Sequence, residues 1–359
     1  MKRLILAALC AMGVLFAAPA AMAAKAAAPL ASPSEAPPLE KLPDWAVPQS
    51  YRLDLRSDPE QAGYSGTVTI ALDLKQSSDH LWLHGKDLKV SSVTITDAKG
   101  KVHTGKYIQA DADAGVARID FGGTLQSQRL ALKIAFNATY NQTLEGFYKV
   151  EFAGDAYAMT QMEPISARYA FPCFDQPGFK TPFDIVLTIP AKDKAVANTK
   201  LVSEAKTSSG WKTLTFGKTQ PLPTYLVAWA VGPLDIVDGP GIPANRWRKE
   251  PVLVRGIAAK GNGPRMQRAL AMVPGIIEAE ENYYGFGYPF GKLDLAALPD
   301  FSAGAMENAG LVTYRDWLLL LDKGSSPSAV RSTFNVEAHE LAHQWTGDTV
   351  TLHWWNDIW

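Results

Sequence analysis

Ser326-Pro327-Ser328-Ala329-Val330-Arg331-Ser332-Thr333-Phe334-Asn335-Val336-Glu337-Ala338-His339-Glu340-Leu341-Ala342-His343-Gln344-Trp345 is the stretch on which the reading of this chain turns. Ser326 supplies an N-cap and Pro327 a first-turn proline. Behind them Val330, Phe334, Ala338, Leu341, Ala342 and Trp345 fall along one apolar stripe, which predicts a helix packed on one side. His339 and His343 are about one helical turn apart, so both imidazoles leave the same face and can converge on one ion. Glu340 lies one position round, where its carboxylate can polarise a water on that ion as general base. An ordinary helix could carry two histidines, but a capped helix would hold a ligand pair rigidly.

A metal site of this kind needs a third ligand. One class of zinc peptidase continues with Gly and then His, three and six residues past the second histidine. Thr346 and Thr349 occupy those places and exclude that class. Asp348, His353 and Asp357 remain as candidates within the chain.

Toward the N-terminus the pattern changes from helical to alternating. In Gly66 to Leu74, the residues Val68, Ile70, Leu72 and Leu74 share one face at period two. Val90 to Thr96, Arg129 to Phe136 and Phe183 to Ile189 repeat the pattern between Gly- and Asp-containing turns. An antiparallel, β-rich domain over residues 48–237 is expected, with Asp238-Gly239-Pro240-Gly241-Ile242-Pro243 as the boundary. Pro264 to Tyr284 then reads as a helix kinked at Pro274-Gly275. The fold class predicted is α+β.

Lys2 and Arg3, the apolar run Leu4 to Phe16, and Ala21-Met22-Ala23 have the form of a cleavable signal peptide over residues 1–23. The mature chain is therefore expected to be exported, to the periplasm or the medium, and the short apolar run does not predict a transmembrane segment. Residues 24–47, rich in Ala, Pro and Ser, read as a flexible lead-in. Cys173 is the one cysteine beyond the signal; it reads as a buried structural thiol. With 359 residues, 47% hydrophobic and 20% charged at a formal net charge of -1, the chain can bury a core and carries no electrostatic footprint for nucleic acid.

Three blocks together resemble the aminopeptidase N family of zinc metallopeptidases, the gluzincin aminopeptidases that combine HExxH with a GAMEN segment. The first is His339-Glu340-Leu341-Ala342-His343. The second, some thirty residues upstream, is Gly304-Ala305-Met306-Glu307-Asn308. The third is Met159-Thr160-Gln161-Met162-Glu163-Pro164, with Ala167-Arg168 and Phe171 to Pro177 after it. The likeness extends over nearly all of residues 43–359, including Tyr225 to Gly232 and Tyr288 to Asp294. It departs at Ala309, where many members have Trp, at Gln176 (usually Glu), and at Thr346 and Asp348 (commonly Phe and Asn).

The resemblance implies a saddle- or sandwich-like antiparallel domain followed by the first part of a thermolysin-like mixed α/β catalytic domain, residues 238–359. It implies one zinc ion held by His339 and His343, with Glu340 as general base. The family's third ligand is a glutamate eighteen residues further on, position 362 in this numbering, so the chain is expected to be a fragment and inactive alone. Gly304, Ala305, Met306, Glu307 and Asn308 become a strand lining the substrate cleft, and Glu307 and Glu163 hold the free α-amine of a peptide substrate. A fixed carboxylate close to the metal is what confines cleavage to the N-terminal bond. Glu163 could instead pair with Arg168. Rival readings are a peptide-binding fragment without turnover, and a family member with epoxide hydrolase activity.

Overall fold

The alternating stretches form sheet. Val68, Ile70, Leu72 and Leu74 line one face of the strand Gly63–Leu74, each at 1% exposure or less. Val68 and Ile70 stand opposite Leu53 and Tyr51 on one neighbour, and Ile134 and Leu132 on the other. Such facing apolar pairs are what stabilise a sheet and fix its register. At Gly66 the side chains of Leu55 and Phe136 close over the backbone, and a Cβ there would lie 2.5 Å from Leu55.

The computed structural model describes residues 35–207 and 210–358. The expected signal peptide, and residues 24–34 of the expected lead-in, lie outside the described residues. In the remainder of that lead-in Leu42 and Ala46 are buried, and a strand begins at Ala46.

Ten strands make the largest sheet. In spatial order they are Leu201–Lys206, Trp211–Phe216, Phe183–Pro190, Ala46–Arg56, Gly63–Leu74, Gln128–Thr139, Lys89–Thr96, Val102–Asp111, Val116–Leu125 and Ser78–His84. Neighbours are antiparallel except Ala46–Arg56 and Phe183–Pro190, which run parallel. A four-stranded sheet, Lys194–Ala197, Trp229–Gly232, Asp155–Gln161 and Gly146–Phe152, packs with it through Tyr64, Tyr140, Phe147, Phe171 and Trp229. Cys173 is fully buried in the same core, as a free thiol.

A third, mixed sheet orders Leu234–Asp238, Leu253–Ala259, Lys292–Leu298, Leu311–Arg315 and Ala305–Met306. Its three central strands are parallel, and Lys292–Leu298 is buried throughout, as expected of a strand covered on both faces. The helices Val273–Tyr284 and Pro327–Ala342 cover it, with Ile277, Leu341 and Trp345 meeting Leu295, Val312 and Tyr314. The architecture is α+β, a β-sheet domain followed by the start of a mixed catalytic-type domain. Among the described residues no helix is long and apolar enough to cross a membrane.

Two boundaries differ from the sequence reading. Leu234–Asp238, expected as the tail of the first domain, is the edge strand of the third sheet and pairs antiparallel with Leu253–Ala259. Apolar alternation shows that a segment is a strand but not which sheet it joins. The helix expected to kink at Pro274-Gly275 instead breaks at Ala271-Met272, after Gln267–Leu270, and restarts at Val273. Pro274 then lies in the first turn, where its missing N–H costs nothing.

Candidate active site

The helix Pro327–Ala342 starts where Ser326 Oγ accepts the Ala329 N–H at 3.2 Å. Helical bonding runs on past Ala342: the His343 N–H donates to the His339 carbonyl at 3.3 Å, and the Thr346 N–H to the Ala342 carbonyl at 3.2 Å. The face turned inward is Thr333, Glu337, Glu340, Leu341 and Gln344; Phe334, expected on the apolar stripe, is 46% exposed. Polar residues take the interior because partners there receive some of them, as the Leu318 carbonyl accepts Thr333 Oγ1 at 2.7 Å.

His339 and His343 meet with their Nε2 atoms 3.2 Å apart and their rings at 81°. His343 Nδ1 lies 2.9 Å from the Thr346 carbonyl; donating there fixes the tautomer and leaves the Nε2 lone pair toward His339. Burial, then the neighbouring His343, pull the His339 pKa down, favouring the neutral ring that a metal requires. Two nitrogens sharing a tetrahedral ion at about 2.0–2.1 Å are separated by close to this distance, so the pair fits zinc.

Around the imidazoles stand three carboxylates from three elements. Glu340 comes from the helix and is buried; Glu307 follows the two-residue strand Ala305–Met306 and is 4% exposed; Glu163 follows the strand Asp155–Gln161. Burial, then Glu307 and Glu163, lift Glu340 to about 8. Burial, then Glu307, lift Glu163 to about 7 against the pull of His343. Burial raises Glu307 as well, and its Oε1 has no hydrogen-bond partner among the described residues. Arg168 does not neutralise Glu163; it pairs with Asp175 at 3.0 Å instead.

Of the in-chain candidates for a third ligand, His353 packs against Gly178 in the β-sheet domain, Asp357 is exposed in the turn Trp355–Asp357, and Asp348 is buried. Among the described residues no group of three or more His, Cys, Asp or Glu side chains is placed to hold a metal ion.

Ala305–Met306 pairs antiparallel with Leu311–Arg315 as the outermost strand of the mixed sheet, with Gly304 accepting the Arg315 N–H at 3.0 Å. An edge strand beside a carboxylate and a histidine pair can take an extended peptide by strand addition. Residues 47–226 match the Peptidase M1 N-terminal domain, and residues 268–359 match the Peptidase family M1 domain. The chain belongs to the M1 peptidase family. It is 35% identical over 335 residues to the puromycin-sensitive aminopeptidase of Caenorhabditis elegans, covering 91% of this chain and 35% of that protein. Aminopeptidase M1-D of Oryza sativa subsp. japonica is 34% identical (89% of this chain, 36% of that one), and glutamyl aminopeptidase of Mus musculus 32% (89% and 34%). The chain spans about a third of the length of the relatives it matches.

In this M1 chain the Glu307–Gly310 backbone is held at every carbonyl. Gln344 Nε2 donates to the Glu307 carbonyl at 2.7 Å, and the Leu311 N–H to that of Asn308 at 2.9 Å. Asn198 Nδ2 donates to the Ala309 carbonyl at 3.0 Å, and Lys292 Nζ to that of Gly310 at 2.6 Å. Gly310 itself has φ +71°, and a Cβ there would lie 2.5 Å from the Asn198 carbonyl oxygen. The backbone is satisfied while the Glu307 carboxylate is left with an open oxygen. Sequence reading did not find Asn198, Lys292 or Gln344 in this role, since 34 to 111 residues separate Gln344 and Asn198 from what they hold. In the sequence Asp348 stands out as a candidate ligand and as a departure from the family pattern, and Tyr225 only within a matching block. Both are buried beside the site, with Tyr225 Oη and both Asp348 carboxylate oxygens unpartnered among the described residues.

Proposed function

We propose that this chain carries the peptide-binding and most of the hydrolytic machinery of a zinc aminopeptidase acting on peptides with a free N-terminus. The observation that carries it is the clustering of Glu163, Glu307 and Glu340 around His339 and His343, each carboxyl raised by burial and Glu163 and Glu340 further by their neighbours. Carboxylates that raise one another in this way are suited to bind positive charge.

His339 and His343 would hold the zinc, with a third ligand from outside the described residues. Bound there, zinc supplies Lewis acidity and makes water a nucleophile near neutral pH. Glu340 takes the proton of the attacking water and hands it to the leaving amine. Its raised affinity for the proton in this buried setting suits that exchange. Glu307 and Glu163 receive the substrate α-ammonium, and the edge strand Ala305–Met306, flanked by Gly304 and Asn308, aligns the peptide backbone. Carboxylates that receive a free α-amine favour an exopeptidase over an endopeptidase. Residues 1–23 support export, which N-terminal mass spectrometry of the secreted protein would check by a start near Ala24.

The test is hydrolysis of L-aminoacyl anilides by the protein loaded with zinc. Glu340→Gln should keep the metal and lower kcat by about 10²–10⁴. Turnover unchanged by Glu340→Gln, or equal cleavage of N-acetylated substrates, would defeat the reading. Binding of free-amine peptides without turnover, at one zinc per molecule, would point to the rival peptide-binding role.

A further inference from the structure

We infer that Gln344 is the positioning residue that sets the distance between the metal-binding helix and the carboxylate that receives the substrate amine. The inference rests on the aminopeptidase reading for its functional arm and on hydrogen-bond geometry alone for its structural arm.

Gln344 follows His343 directly and is fully buried. Its amide is used at both ends. Nε2 donates to the Glu307 carbonyl at 2.7 Å, while Oε1 accepts the Gly310 N–H at 3.3 Å and faces the Tyr288 hydroxyl at 3.4 Å. Only one orientation of the amide satisfies this set, because the Glu307 carbonyl requires a donor and the Gly310 N–H an acceptor. One side chain thus ties residues 307 and 310 to the residue next to a metal ligand. The other attachments of that segment run elsewhere: Asn198 comes from the β-sheet domain and Lys292 from the mixed sheet. Gln344 alone among these joins it to the HExxH helix.

Sub-ångström placement matters when two groups must act on one substrate. Loss of this tie lets the Glu307 segment shift relative to His339 and His343 while each stays attached to its own element. The expected signature is a split: ligands that bridge metal and amine pocket lose affinity, and ligands that touch the metal alone do not. No other residue type of similar volume meets the requirement. Met fills the space without hydrogen bonds, and Glu retains an acceptor for Gly310 but, ionised, cannot donate to Glu307.

The test uses Gln344→Met and Gln344→Glu in the full-length protein. Hydrogen–deuterium exchange of the Gly310 amide reads the structure without metal or activity. Gln344→Met should raise that rate roughly tenfold, and Gln344→Glu by less. With zinc bound, inhibition by L-leucine hydroxamate (which carries an amine) should weaken roughly tenfold in Gln344→Met, and acetohydroxamate (which does not) by less than twofold. Unchanged Gly310 exchange in Gln344→Met overturns the tie. Faster exchange with equal losses for both hydroxamates overturns the positioning role. Should Gln344→Met fail to fold, Gln344→Glu carries the same comparison. Glu307→Gln separates the underlying reading: if it leaves L-leucine hydroxamate binding intact, the amine assignment fails, whatever Gly310 does.

Discussion

Two groups of buried charge in this molecule are built in opposite ways. Inside the β-sheet domain, Asp175 is closed in: Arg168 Nε donates to Oδ2 at 3.0 Å, Thr224 Oγ1 to Oδ1 at 2.7 Å, and its own N–H donates to His84 Nδ1 at 3.1 Å. Burial still lifts its pKa, but Arg168 and Thr224 pull it back. In the cleft, Glu163, Glu307 and Glu340 face one another, and Asp348 adds a fourth carboxylate beside them. Where the fold needs a buried charge it supplies the partner. In the cleft the fold gathers carboxylates without such a partner, an arrangement suited to receive positive charge.

The largest effect should come from breaking the closed group. Asp175→Ala leaves the Arg168 guanidinium buried at 9% side-chain exposure, and a guanidinium cannot shed its charge. A loss of about 3–5 kcal/mol is expected in urea unfolding. A loss below about 1 kcal/mol would mean that the pair is hydrated and the contrast with the cleft overstated.

The same operation on the open group should act on binding instead of folding. Glu307→Gln removes a buried, partly unpartnered carboxylate, so stability should hold or rise. Affinity for an amine-bearing ligand should drop by about 1.5–3 kcal/mol, roughly 10- to 150-fold, the worth of hydrogen bonds to a charged group. Calorimetric titration reads this, and an undiminished affinity would remove Glu307 from the amine site.

Much of the fold and part of the site are legible in the residues themselves, and the missing part has one cause. Val68, Ile70 and Leu72 announce their strand because period two is local. Ser326-Pro327 and the two histidines announce their helix for the same reason. Phe334 lies off the inward face of that helix, because apolar periodicity assumes an apolar partner and the partner here is a polar site. Residues 234–237, expected in the first domain, pair in the third sheet, and no spacing connects Gln344, Asn198 or Lys292 to Glu307–Gly310. Their partners are distant in sequence, and no spacing rule reaches across a fold.

Acidity sharpens the comparison further. Glu163 has a higher pKa folded, about 7, than its ordinary value of 4.5, so the folded state holds the proton more tightly. The stability it contributes is present in full below about 4.5 and is lost as the pH rises through about 7. Glu307, Glu340, Asp348, Tyr225 and His343 are the titratable groups that face it, and of these Glu307 opposes its ionisation most. In metal-free protein the melting temperature should fall by roughly 2–4 °C across this window beyond the change seen in Glu163→Gln. Parallel curves for the two proteins would show that Glu163 titrates as an ordinary surface carboxylate.

The smallest effect tests whether every orphaned carboxyl belongs to the cleft. Glu337 is fully buried one turn before Glu340, with neither carboxylate oxygen partnered among the described residues, and burial raises its pKa strongly. Its neighbour is Tyr314, whose hydroxyl is likewise unpartnered, and burial is what raises Glu337. Buried deeper along the helix than Glu340, Glu337 counts here as a cost to the fold. Glu337→Met should therefore stabilise the protein by about 1 kcal/mol, because an apolar side chain of similar volume removes an unmet desolvation penalty. Affinity for L-leucine hydroxamate should not change. A destabilised Glu337→Met with weakened ligand binding would place Glu337 inside the functional cluster, and withheld partners would then mark a site running deeper along the helix than the three cleft glutamates.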